Sequence, residues 1–170
     1  VDYATLFAAL APETIVTVTA FLVLTLDLTR MRRAALEERA RFAGMVTVLG
    51  LIAAIVPLWL QRHQDAMSLF GGTLVVDPLA AGFKIVIVGL TIVTALISID
   101  YDIGRHIGEY FATMLFGAVG MMLLISAEEL VMIFVALELT SICLYILTAF
   151  HKGALRSQEA AVKYFMFGAI

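Results

Sequence analysis

Three ionisable side chains, Glu138, Lys163 and Lys84, stand inside apolar stretches of this chain, and the chemistry open to them is the holding and releasing of protons or ions. Glu138 lies in the middle of Leu130 to Phe150, an otherwise apolar run long enough to cross a bilayer. It stands about nine residues, roughly 13 Å, past the start of that run, too deep to snorkel easily to water on either side. Inserting an acid at a helix centre costs about 2.5–3.5 kcal/mol, so the position calls for a partner, a hydrated cavity or a proton path. The plainer reading is a carboxylic acid kept neutral and hydrogen-bonded to a neighbouring helix.

Lys163 lies about six residues inside the last apolar segment, where its stem lets the ammonium reach back to the interface near Arg156 and Glu159. A carboxylate and an ammonium about 4 Å apart attract by roughly 4 kcal/mol at an effective dielectric near 20. Paired with Glu138 on the preceding helix, Lys163 could therefore help decide which site holds a proton. Lys84, about six residues into the third apolar segment, can pair with Asp77 two helical turns earlier or snorkel outward. Glu13, beside Pro12, reads as a shallow interface or kink residue, and Asp100, Asp102 and Glu109 as a solvated turn or docking surface.

Other chemistries lack their residues. His63, His106 and His151 fall in loops and share no metal-ligand spacing. Cys143 is the single cysteine, which excludes an internal disulfide framework, a four-thiolate zinc site and an iron–sulfur cluster within the chain. No His-Glu-x-x-His, G-x-S-x-G, phosphate-binding glycine loop or dinucleotide fingerprint occurs, and no basic stretch offers a nucleic-acid surface.

The elements that carry these residues are membrane helices. Of the 170 residues 62% are hydrophobic and 15% charged, with a net charge of -3 and a mean hydropathy of +1.03. Soluble domains hold about 25% charged residues, so the class is all-α and polytopic. Apolar segments predict spans near Leu6 to Leu26, Phe42 to Leu60, Leu79 to Ile99, Phe111 to Ile125 and Leu130 to Phe150. The fourth is short and needs Tyr110 and Ser126, or a locally thinned bilayer. A sixth begins near Ser157 and reaches Ile170, covering roughly 20 Å of the ~30 Å needed. Together with the missing initial methionine, this predicts a fragment of a longer protein: five complete spans and a partial sixth.

The loops after the first, third and fifth spans hold Arg30, Arg32, Arg33, Arg39, Arg41, Arg105, Lys152 and Arg156, against Arg62 alone on the other side. The positive-inside rule then puts the N-terminus outside. Ser126 to Glu129 reads as a capping box for the fifth span, and Ser157 with Glu159 as a cap for the sixth. Gly117 and Gly120 would admit a close neighbouring helix, and Gly71 and Gly72 beside Thr73 to Val76 suggest a small hairpin or cap in the Gln61 to Pro78 loop.

The Leu-Glu-Leu-x-Ser core around Glu138 and the Arg156-Ser-Gln-Glu-Ala-Ala-Val-Lys163-Tyr-Phe block resemble the antiporter-like membrane subunits of respiratory complex I, the proton-pumping NADH:quinone oxidoreductase. Within that group the chain is most similar to the subunit N type, the counterpart of mitochondrial subunit 2. Asp77-Pro-Leu-Ala-x-x-Phe-Lys84 and Gly120-Met-Met-Leu-Leu-Ile-Ser-Ala127 extend the likeness over roughly residues 75–170. The resemblance implies three leading helices over 1–110 and, over 111–170, the opening of the first of two inverted five-helix repeats. It implies that Glu138 pairs with a lysine two helices further on and that Lys163 belongs to the proton path. It also implies that the chain itself holds no cofactor, with NADH, FMN, iron–sulfur clusters and quinone on other subunits. The expected partners are the other membrane-arm subunits in a hetero-oligomer, and the lipid bilayer. A multisubunit sodium/proton antiporter and a passive structural membrane module are the competing classes.

Overall fold

The computed structural model describes residues 3–31, 34–101 and 104–168; Arg32, Arg33, Asp102 and Ile170, invoked above, lie outside the described residues. The described chain forms α1 (Tyr3–Ala9), α2 (Ala11–Thr29), α3 (Leu36–Gln61), a hairpin of β1 (Met67–Leu69) and β2 (Leu74–Val76), then α4 (Pro78–Ile99), α5 (Ile107–Ser126), α6 (Leu130–Thr148) and α7 (Leu155–Gly168). Five of these, α2 to α6, are long and apolar enough to cross a membrane, at 19 to 26 residues each. The chain is an all-α, multi-pass membrane protein with almost no sheet.

Three spans differ from their sequence limits. Helix α3 begins at Leu36, six residues before Phe42, so Arg39 and Arg41 lie in its first turns and not in a loop. The first helix breaks at Leu10 because Pro12 has no amide to donate and its ring disfavours a continuous turn. The fourth span is a full 20 residues, since α5 starts at Ile107 and takes in Gly108, Glu109 and Tyr110, so no thinning of the bilayer is needed. Neither predicted cap forms. Ser126 closes α5, and α6 starts from Glu129, whose carboxylate turns to the Thr73 hydroxyl at 2.9 Å instead of to the helix amides. The Ser157 hydroxyl donates to the Thr148 carbonyl at 2.6 Å and ties α7 back to the end of α6.

Helix α5 is the centre of the bundle and packs against α2, α3, α4 and α6. Of its apolar window 61% is buried, against 11% for α6, which lies at the edge. The larger core cluster stacks Val16, Ala20, Leu51, Ala54, Leu58, Val88, Leu115 and Met122 from α2, α3, α4 and α5. Most hydroxyls on these helices fold back onto the carbonyl four residues earlier, Thr19 to Ile15, Thr91 to Ile87 and Thr140 to Ala136 among them. That keeps them satisfied where no water competes.

The α5–α6 seam is built on small residues. A side chain added at Gly120 would meet Thr140 Oγ1 at 2.5 Å and the Ala136 carbonyl at 3.2 Å, and one at Gly117 would meet Cys143 Cβ at 3.3 Å. The helices touch backbone to side chain, as the glycine spacing predicts. Gly120→Val is expected to destabilise the full-length chain by about 1–3 kcal/mol by forcing α6 outward. Thermal unfolding in detergent would show it as a lowered midpoint.

The hairpin pairs Met67 with Val76 and Leu69 with Leu74 across a turn in which Gly71 and Gly72 take positive φ, as that loop suggests. Leu69, Leu74 and Val76 are buried with Ala9 and packed by Leu6 and Met132, so the hairpin covers one end of the bundle.

Candidate functional site

Two clusters of buried charge hold α2, one near each end. At the hairpin end, Lys84 Nζ lies 2.6 Å from Glu13 Oε1, with the two residues only 1% and 5% exposed. The position of Glu13 follows from Pro12. A proline has no N–H, so the Ala8 carbonyl loses its helical donor, and the break at Leu10 frees the Ala9 carbonyl as well. Gln61, the last residue of α3, supplies both: its Nε2 donates to Ala8 O at 3.2 Å and to Ala9 O at 2.9 Å. One helical turn further into the bundle α2, α3 and α4 present Val16, Leu58 and Val88, which join Met122 of α5 in one apolar cluster. The charged layer thus ends against a dry plug.

This corrects the two sequence readings of these residues. Lys84 neither pairs with Asp77 nor snorkels, because Asp77 caps α4, its Oδ1 accepting from the Ala80 amide at 2.5 Å. Glu13 does stand at the Pro12 kink, but it is a buried partner of Lys84, 71 residues away in sequence, and not an interface residue.

At the opposite end, Asp27 takes the Arg39 fork in two bonds, from Nε to Oδ1 at 2.8 Å and from Nη2 to Oδ2 at 2.7 Å. Its Oδ2 also accepts from the Gly108 amide at 3.0 Å, in the first turn of α5. A carboxylate near the C-terminus of its own helix opposes that helix dipole. Here the same charge sits at the favourable N-terminus of α5, where His106 makes no capping bond, and is neutralised by arginine.

The sequence reading missed Asp27, Arg39 as its partner, and Gln61. An acid twelve residues before an arginine across one short connection was the available signal for the first two. For Gln61 the signal was an amide at a helix end facing a Pro-broken helix.

Glu138 and Lys163 are not brought together. Ala136, Thr140 and Cys143 make the seam with α5, and at 100° per residue Glu138 lies about 200° from Ala136, on the far side of α6. It is exposed in this structure, and among the described residues no protein group bonds to it. It shares that side with Val131, Phe134, Val135 and Ile142, all large, apolar and exposed. Lys163 reaches back along its own helix to Glu159, 2.5 Å away, with both side chains more than half exposed. Among the described residues no group of three or more His, Cys, Asp or Glu side chains is arranged to hold a metal ion.

Residues 127–170, from the start of α6 through α7, match the family described as NADH:quinone oxidoreductase/Mrp antiporter, TM. The likeness to curated proteins is longer. The chain is 37% identical, over all of its length and 36% of the other's, to NADH-quinone oxidoreductase subunit N 2 of Acidobacterium capsulatum. It is 40% identical to NAD(P)H-quinone oxidoreductase subunit 2 of Thermosynechococcus vestitus, over 93% of this chain and 30% of that one. To NADH-quinone oxidoreductase subunit N of Alkalilimnicola ehrlichii it is 37% identical, over 96% and 33%. Over nearly its whole length the chain is similar to proteins named as subunit N or subunit 2 of quinone oxidoreductases. It spans about a third of the length of the curated relatives it matches. The likeness therefore reaches beyond residues 75–170 to the leading helices, over the segments that hold both buried charge clusters.

Proposed function

We propose that this chain is part of the proton-translocating, antiporter-like subunit of an NADH:quinone oxidoreductase, in which quinone reduction on other subunits drives protons across the membrane. The observation that carries this reading is the match of the whole chain, spans and loops together, to subunit N proteins. It is a non-redox part: NADH, FMN, iron–sulfur clusters and quinone sit on partner subunits, and no bond chemistry is assigned to these residues. Its neighbours are the other membrane-arm subunits. The distribution of basic residues supports a topology with the N-terminus outside an energy-coupling membrane, such as the bacterial inner membrane, and Arg30 and Arg105 on the cytoplasmic side.

Residues 1–110 form the three leading spans and 111–170 open the first five-helix repeat. Glu138, Lys163 and Lys84 hold the mobile charge. Glu138 points away from the α5 seam, and a carboxylate on that side is positioned to take a basic partner from a further helix of the full-length protein. Opening and closing of that pair changes the proton affinity of the base, which turns a distant charge movement into proton transfer.

Glu138→Gln in the full-length subunit tests this. In reconstituted vesicles NADH-driven proton uptake is expected to fall roughly tenfold or more, equivalent to about 1.4 kcal/mol or more in the transfer barrier, with assembly intact. Wild-type pumping by a normally assembled variant would overturn the assignment. A second reading, a subunit of a multisubunit sodium/proton antiporter, is favoured by the Mrp antiporter half of the matching family's description. It requires sodium transport with neither NADH nor quinone turnover.

A further inference from the structure

We propose that the hairpin end of α2, α3 and α4 is a buried water-binding site, in which bound water bridges the Lys84 ammonium to Glu13 Oε2 and Gln61 Oε1. Donors and acceptors there do not balance within the protein. Lys84 brings three N–H groups, of which one meets Glu13 Oε1 at 2.6 Å. Glu13 Oε2 and Gln61 Oε1 are both buried, and among the described residues neither accepts a hydrogen bond. Leaving such groups unmet is costly, and most costly for the charged carboxylate oxygen.

The amide of Gln61 cannot solve this by turning over. Its nitrogen is committed to the Ala8 and Ala9 carbonyls, and a flipped amide would set oxygen against two oxygens. Ala9, whose carbonyl binds Gln61, stands one helical turn before Glu13, so both residues lie at the Pro12 bend. Two acceptors cannot satisfy each other. A molecule with two donors and two lone pairs can serve both and still accept from Lys84, which reaches the three bonds usual for buried water. A metal cation fits less well, because the ammonium already shares the same carboxylate. The apolar layer of Val16, Leu58, Val88 and Met122 closes the site towards the bundle centre.

Such a site can hold a proton in two places. Nζ gives a proton to the water oxygen while that water gives one of its own to Oε2, leaving a neutral amine, an intact water and a carboxylic acid. No helix has to move. The site rests on Glu13, Gln61 and Lys84 alone and does not depend on the role given to Glu138.

Density for the unmodified full-length chain in its membrane complex, at a resolution that resolves ordered water, tests this without a variant. The expected result is a peak within about 3.2 Å of Glu13 Oε2 and also of Lys84 Nζ or Gln61 Oε1. Infrared spectra in H2O and D2O add a second measurement. The carboxylate band that disappears in Glu13→Gln is expected to shift on exchange of the buffer, and the shift is expected to change in Lys84→Met. Oε2 bonded directly to a protein donor, Oε2 surrounded only by carbon, a peak that follows the sodium in the buffer, or a band unmoved by D2O would each overturn the site.

Discussion

Lys84→Met alone is expected to destabilise the full-length subunit by about 3–5 kcal/mol, Glu13→Leu alone by a similar amount, and the double variant by far less than the sum. Each single change strands one charge in a layer where its partner was 2.6 Å away and both side chains are almost wholly enclosed. Removing both leaves apolar side chains above an apolar plug, at the cost of the imperfect fit and of the acceptors on Gln61. Thermal or chemical unfolding in detergent measures the cycle. Single variants as mild as the double would mean that the remaining charge finds another partner or reaches water, and the pair would lose its role as a fastener. Proton pumping by the double variant separates structure from transport. A role for Lys84 in the proton path predicts a lowered pumping rate even where stability has recovered, whereas a purely mechanical pair predicts the wild-type rate.

Asp27→Ala is the second large effect, at about 3–5 kcal/mol, because one substitution undoes two interactions. It leaves the Arg39 guanidinium, 13% exposed, without its two-bond partner, and it removes the acceptor for the Gly108 amide. Adding Arg39→Met to Asp27→Ala is expected to restore most of the loss. About 1 kcal/mol should remain, the usual worth of a helix cap, because the start of α5 stays uncapped. Hydrogen exchange localises that remainder: the Gly108 amide should exchange faster in both variants, while amides in the middle of α5 recover in the double. Equal recovery at Gly108 would show that another acceptor replaces Asp27.

The long elements of this chain are written plainly in its sequence. Uninterrupted apolar runs such as Leu79 to Ile99 have few ways to satisfy their backbone in lipid other than a helix, so α4 and α6 appear within two residues of their expected limits. The ends were harder to read. Gly108 and Glu109 look like loop residues until Asp27, 81 positions before Gly108, is known to accept from its amide. Ser126 and Glu129 match a capping box in spacing, but Ser126 belongs to the preceding helix, and a pattern of four residues cannot show which of two adjoining helices owns it. The Glu13–Lys84 pair was hidden for the same reason. Local spacing offered Asp77 as a partner for Lys84, and a contact across 71 residues leaves no trace in periodicity. Glu138 was conspicuous because an acid inside an apolar run needs no long-range knowledge to be noticed. What it meets depends on helix neighbours that one sequence does not specify.

The spacing of the two charge clusters along α2 has a mechanical consequence. Glu13 and Asp27 are fourteen residues apart, about 21 Å of helix, and each is locked to a different neighbour: α4 at one end, α3 and α5 at the other. A rod riveted at both ends cannot act as a piston, because any sliding along its axis would break a carboxylate contact at one rivet or the other. Helix α2 is thus the fixed strut of this bundle, held in register with α3, α4 and α5.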